Sequence, residues 1–421
     1  ISCGNDSSSN KDHLVFRYNE YGNVNTLDPA FSRTIQDNSI NNQLFNGLVQ
    51  LDSDLNILPS IAKSWVISED GLNYTFSLRN DVYFHKHELF GKDSTRHVVA
   101  KDFEYSFKRL LDDKTLSPGR WIFNSVNTEK NGGFKALNDT VFEIYLKNSF
   151  PPFLGILSMQ YCSVVPKEIA EKLGKDFGRN PVGTGPFIMK DWYEGVKLVL
   201  HKNERYFETD SDGEKLPHLD AVGVSFIPDP QSIFLEFMKG NLDMLSGLED
   251  GSYKDALITP NGNLQPELKS ELVMLSEPFL NTEYLGFLMK ESVDVGSGKE
   301  LNNKLIRKAI NYGFDRKKMM KYLSNGVGNP ANGGFIPIGL KGYNESIGFT
   351  YKPKKAKQLI EQFKKESGIT NPEITLTTTS NYLSFCEFIQ RELEKAGLII
   401  NVDVMPEATL RSARSSGKVD L

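Results

Sequence analysis

The sequence predicts a mixed α/β chain of more than one domain. Three observations carry this expectation. Helix and strand patterns alternate through the last third, a strand-rich segment of different texture is set in from Leu51, and a glycine–proline corner stands at Pro181–Phe187. At 421 residues the chain has room for roughly three domain-sized units and a large core.

In chain order, Leu14, Phe16 and Tyr18 alternate as a strand, which Leu27-Asp28-Pro29 closes. Asp37 is expected to cap a helix whose apolar face is Ile40, Leu44, Phe45 and Leu48, and Pro59 to Trp65 to form a corner. Then the texture changes. Asp70-Gly71 turns into the strand Tyr74–Arg79; Asp102 and Glu104 start a helix faced by Phe103, Phe107, Leu110 and Leu111; Phe142, Ile144 and Leu146 alternate as another strand. This reads as a compact α+β unit inserted between two halves of something else.

The corner Pro181-Val182-Gly183-Thr184-Gly185-Pro186-Phe187 follows. Glycine takes positive φ without strain and proline fixes φ, so a rigid turn is expected. A phosphate cradle fits poorly. The third glycine of a dinucleotide fingerprint would fall at Ile188, and a strand rather than a helix comes next. Strands at 196–200 and 222–226 precede a helix carrying Phe234, Phe237 and Met238, and Glu283–Met289 reads as an extended crossing segment. Beyond it, Leu305, Ile306, Ala309 and Ile310 share one helix face, Asp315 caps a second helix, and Ala356, Leu359, Ile360 and Phe363 mark a third. Strand Ile374–Thr378, helix Tyr382–Lys395 ended by Gly397, and strand Ile400–Val404 give a β–α–β order, hence parallel strands.

Composition narrows the function. The formal net charge is −5, with no arginine-rich tract, so nucleic acid is not an expected partner. The longest apolar region, Phe150–Pro166, is broken by Pro151 and Pro152 and falls short of the roughly 20 residues of a membrane helix. There are three cysteines. Ile1-Ser2-Cys3-Gly4, ahead of the polar tract Asn5–Asn10, reads as the stub of a bacterial lipoprotein signal with Cys3 as the lipidated residue. The bland alternative is a chain end that happens to carry a cysteine. Cys386 shares a helix face with Tyr382, Ile389 and Leu393 and is expected to be buried; pairing with Cys162 stays open.

Catalytic patterns are mostly missing. His85-Lys86-His87-Glu88 has Gly91 where a zincin needs its second histidine, and histidines two apart on a strand face opposite ways, so solvated surface is expected. Asp210-Ser211-Asp212-Gly213 has its glycine too early for a calcium loop and reads as a polar turn. Gly298-Lys299-Glu300 lacks the rest of a phosphate loop, and no Gly-x-Ser-x-Gly occurs. The expectation is a binder, not an enzyme, without metal or cofactor. Trp121 and Phe123, after the turn Ser117-Pro118-Gly119-Arg120, and Tyr382 are read first as core and second as ligand wall.

Certain segments in succession then carry a resemblance: Leu27-Asp28-Pro29, Leu44-Phe45-Asn46-Gly47-Leu48, Pro59–Trp65, Tyr74–Arg79, Ala100–Ser106, Pro181–Phe187, Arg307–Asn311 and Asp315-Arg316. From about Leu14 onward the chain resembles the oligopeptide- and dipeptide-binding proteins that serve ABC importers. The resemblance implies a type II-like periplasmic-binding-protein clamshell. Lobe one would comprise 14–50 and 166–280, the small α+β domain 51–165, and lobe two 281–421, after a tether over 1–13. It also implies hinge closure over a peptide held as an added strand, and delivery to the permease by a lipid-anchored, monomeric protein on the outer side of a bacterial membrane. Alternative solutes on the same scaffold are nickel chelates, haem or sugars; a peptidase or an adhesion lipoprotein is a weaker rival.

Site residues carry over by position. Ser32, Arg33 and Thr34 match the segment that pairs with ligand backbone, although Arg33 stands where those relatives place an acid. Gly119 stands where they carry a tyrosine, with Trp121 as a compensating aromatic. Arg414, three residues before Gly417-x-x-Asp420, matches an arginine that receives the ligand carboxylate, with a solvated loop arginine as the alternative. Relatives also continue past the strand that Val419-Asp420-Leu421 begins. The C-terminal part of the fold is therefore expected to be absent, and the native product to be longer.

Overall fold

The computed structural model describes residues 13–246, 254–276, 279–289, 298–324, 326–419 and 421. Cys3 and Asp420, with most of the expected tether, lie outside them. The chain forms two compact units that divide between Ser246 and Gly247.

The first unit opens with β1 (Val15–Asn19), a 3-10 turn at Pro29–Phe31, and α1 (Ile35–Leu44). Asp37 is not the cap of α1. Thr34 is, accepting from the Asp37 N–H, while the Asp37 carboxylate reaches back to the Thr34 N–H in a capping box. The helix also stops at Leu44, leaving Phe45 extended. The short pair β2 (Val49–Leu51) and β3 (Ile57–Pro59) follows, then β4 (Ala62–Ile67) and β5 (Asn73–Leu78). The expected corner at Pro59–Trp65 is thus mostly strand, with Trp65 paired opposite Phe76. Next come α2 (Ala100–Leu111), β6 (Phe134–Asn138), β7 (Val141–Tyr145), α3 (Phe153–Ile156) and α4 (Lys167–Leu173). The unit ends with β8 (Phe187–Tyr193), β9 (Lys197–Lys202), β10 (Ala221–Ser225) and α5 (Pro230–Met238).

Its two four-stranded sheets have the orders β4-β5-β7-β6 and β1-β10-β9-β8. The first is antiparallel and carries α2 on one face, where Phe103 and Phe107 pack among Phe123, Phe134 and Phe142 at centroid separations of 4.9–5.9 Å. In the second, β1 returns to pair in parallel with β10, more than 200 residues later. One continuous apolar core underlies both sheets.

The second unit contains α6 (Lys254–Leu257), α7 (Gly298–Asn302), α8 (Lys304–Gly313), α9 (Arg316–Leu323), α10 (Pro353–Ser367), β11 (Glu373–Thr378), α11 (Leu383–Glu394), β12 (Ile399–Val404) and α12 (Glu407–Ser415). Asp315 caps α9 as expected, and β11 pairs in parallel with β12. Residues 283–289 form no helix or strand. Ile306, Ile310, Ile360, Phe363 and Leu393 make the centre of a second core. Cys162 and Cys386 are both buried free thiols, one in each unit.

Candidate functional site

The site residues assigned from the sequence fall on both units. In the first unit, Asp37 organises Ser32–Thr34. Its buried carboxylate accepts the backbone N–H groups of Asn25 at 2.8 Å and of Arg33 and Thr34 at 3.3 Å. Ser32 is buried; its hydroxyl donates to Asn38 Oδ1 at 2.7 Å and accepts from Asn41 Nδ2 at 3.1 Å, and its own N–H is turned to Pro29 O. Every backbone N–H of this segment is therefore spent within the chain. Its free backbone groups are acceptors, since among the described residues no donor reaches Ser32 O or Arg33 O. The Arg33 side chain is exposed.

Gly119 lies beside this segment. Its N–H is held by Ser117 Oγ, which in turn donates to Ala30 O at 2.6 Å and so ties the 117–121 turn to the 3-10 turn at Pro29. A Cβ at position 119 would come within 2.3 Å of the Tyr161 ring. Tyr161 thus fills the space a side chain at 119 would need. Sequence reading missed it because it lies 42 positions away; an aromatic placed only by the fold leaves no local signal. Burial raises the Tyr161 phenol pKa, and Arg33 is close enough to oppose that rise. Trp121, two residues on, is 53% exposed, so it is not core. Nor is Tyr382 in the second unit, at 44%. Arg414 is exposed on the last turn of α12, and Gly417 follows with φ +66°.

The wall behind the first-unit cluster is held by an ion pair no motif announces. Asp28 takes both ends of the Arg109 guanidinium, at 2.9 and 2.5 Å, while also capping the Pro29–Phe31 turn. The glycine–proline corner sits against the C-terminus of α1, and the reason for its glycines differs from the one expected. Neither Gly183 nor Gly185 has positive φ; instead a Cβ would lie 1.9 Å from Leu44 O or 2.5 Å from Gln43 O, so only glycine permits the approach.

His85 corrects another expectation. It is 2% exposed rather than solvated. Its Nδ1 accepts from Gly183 N–H at 3.3 Å and its Nε2 faces Gly185 O at 3.0 Å, which fixes a neutral ring with the proton on Nε2. Burial pushes its pKa down to about 4. Asp210 does make the expected polar turn, accepting the N–H groups of Asp212 and Glu214. Among the described residues no cluster of three or more His, Cys, Asp or Glu is placed to hold a metal, and no helix is long and apolar enough to cross a membrane.

Comparison with known proteins fits this architecture. The profile of the bacterial extracellular solute-binding proteins, family 5 (middle region), matches residues 56–421. Heme-binding protein A of Haemophilus influenzae is 27% identical over 403 residues, covering 91% of this chain and 68% of that protein. Glutathione-binding protein GsiB of Escherichia coli O157:H7 is 25% identical over 402 residues, covering 94% and 70%. Among solved structures, the periplasmic binding protein DppA of Helicobacter pylori, in complex with the peptide STSA, superposes with a TM-score of 0.77 at 27% identity, over 96% of this chain and 76% of that one. OppA of Burkholderia pseudomallei, at 21% identity, shares the fold with a TM-score of 0.75 over 97% and 79%. The chain belongs to family 5 of the bacterial extracellular solute-binding proteins, the binding components of ABC importers.

Proposed function

We propose that this protein captures peptides and hands them to the permease of an ABC importer, with no bond made or broken. The observation that carries this reading is the likeness to the peptide-bound H. pylori protein, whose identity and coverage exceed a bare sharing of fold. The lobes are those assigned from the sequence: 14–50 with 166–280, the inserted domain 51–165, and 281–421. The separate sheets over 15–225 and 62–145 support the inserted domain. Ser32–Thr34, Gly119 and Trp121 are the ligand contacts of the first unit, and Tyr382 and Arg414 those of the second. The free carbonyls of Ser32 and Arg33 accept ligand N–H groups, and Arg414 takes the ligand carboxylate. Ligand shifts an open–closed equilibrium by its differential affinity for the closed form. The protein acts as a monomer, tethered outside the cell membrane through lipid on Cys3.

A second reading is haem binding, favoured by the H. influenzae relative. Native mass spectrometry of protein purified with its endogenous ligand separates the two. A ladder of peptide masses is expected. A single haem, metal-chelate or sugar mass would replace the peptide reading, and cleavage of offered peptides would make the protein an enzyme.

A further inference from the structure

We infer that Arg33 makes this a binder of acidic peptides, selecting a ligand with a carboxylate side chain at the position that faces it. The inference rests on the peptide-binding reading above and adds a charge preference to it.

The argument is a charge count over three adjoining segments, 28–34, 117–123 and 160–163. Besides Tyr161 and the buried Cys162 thiol, they contain three ionisable side chains: Asp28, Arg33 and Arg120. Asp28 is closed off in its pair with Arg109, and Arg120 is paired with Asp113. The carboxylate nearest Arg33 along the chain, Asp37, is buried and accepts backbone N–H groups from three residues. Arg33 is left as the exposed cation of this surface, with no ion pair among the described residues. Its backbone cannot drift, because its N–H is anchored on Asp37 and the next residue caps α1. The guanidinium therefore projects from a fixed point, within electrostatic reach of the Tyr161 phenol.

The partner chemistry follows from what else is unpaired there. The carbonyls of Ser32 and Arg33 ask for N–H donors, and Trp121 offers an exposed amphipathic ring. A peptide backbone supplies the donors, and an Asp or Glu side chain supplies the fork-matched anion. A lysine at the same position would meet like charge on the same rigid mount, and such juxtaposition is penalised once water is excluded.

The test is calorimetric titration of the whole chain with tetra-alanine in which each position in turn is Asp, Asn or Lys. At one position, Asp is expected to bind about tenfold tighter than Lys, with Asn between, and high salt should shrink the gap. Arg33→Gln, which keeps the N–H on Asp37, should abolish the ratio; Arg33→Glu should invert it. Equal binding of Asp and Lys at every position, or a ratio unchanged in Arg33→Gln, would overturn the inference while leaving peptide binding intact. Failure of every peptide to bind would overturn both.

Discussion

Replacing Asp28 with alanine should cost the first unit more stability than any surface change. Asp28 and Arg109 have side chains only 4% and 12% exposed and meet through two contacts of 2.9 and 2.5 Å. Alanine leaves the guanidinium buried above the Phe177 ring with its counter-charge gone. Breaking a buried pair in this way costs about 3–5 kcal/mol. Loss of the cap on Ala30 N–H adds about 1 kcal/mol. Against a stability of about 5–15 kcal/mol, that is a large fraction. At about 2–4 °C per kcal/mol for a unit of this size, the melting temperature should fall by about 10 °C or more. Urea denaturation gives the free energy directly. Asp28→Asn separates the terms, since it retains a capping oxygen but not the charge. The decisive control is the double variant with Arg109→Met, which removes the orphaned cation and should recover at least about 2 kcal/mol of the loss. A cost below about 1 kcal/mol for Asp28→Ala, or simple additivity in the double variant, would refute the reasoning.

Two further outcomes follow from the corner. His85 is neutral when folded because its pKa is lowered to about 4. The unfolded chain, near 6.5, therefore takes up the proton first, so stability is full above about pH 6.5 and falls towards pH 4, by about 3 kcal/mol over the interval. His85→Gln should flatten that slope in urea titrations across the same range; an unchanged slope would mean another group is responsible. Gly183→Ala should cost about 3 kcal/mol or more, because backbone Leu44 O stands 1.9 Å from the new methyl and cannot swing aside. Gly213→Ala, at φ +85° with open space around it, should cost only about 1 kcal/mol, and equal urea midpoints for the two would contradict this.

What the sequence by itself determined is local. The alternation of Tyr74, Phe76 and Leu78, the heptad-like spacing of Phe103, Phe107 and Leu110, and the β–α–β order at 374–404 gave the elements and their class. Side-chain periodicity is a property of the chain within a dozen residues, so it can be read without a fold. It also left room for misassigned ends: Thr34 rather than Asp37 caps α1, because a capping box puts two oxygen-bearing residues three apart and only geometry says which is first.

Only tertiary structure decided the environment of each polar group. His85-Lys86-His87 reads as surface, yet a glycine corner about 100 residues away closes over His85 and fixes its tautomer. The same corner needs glycine because of what approaches it, not because of its own φ. Tyr161 beside Gly119, and Arg109 on Asp28, are contacts across 42 and 81 positions that no window contains. Burial, desolvation and charge pairing depend on distance in space. A chain of residues fixes distance along itself, and it is the folding of the first unit that turns Arg33 from one arginine among many into an exposed charge on a fixed support, with no ion pair among the described residues.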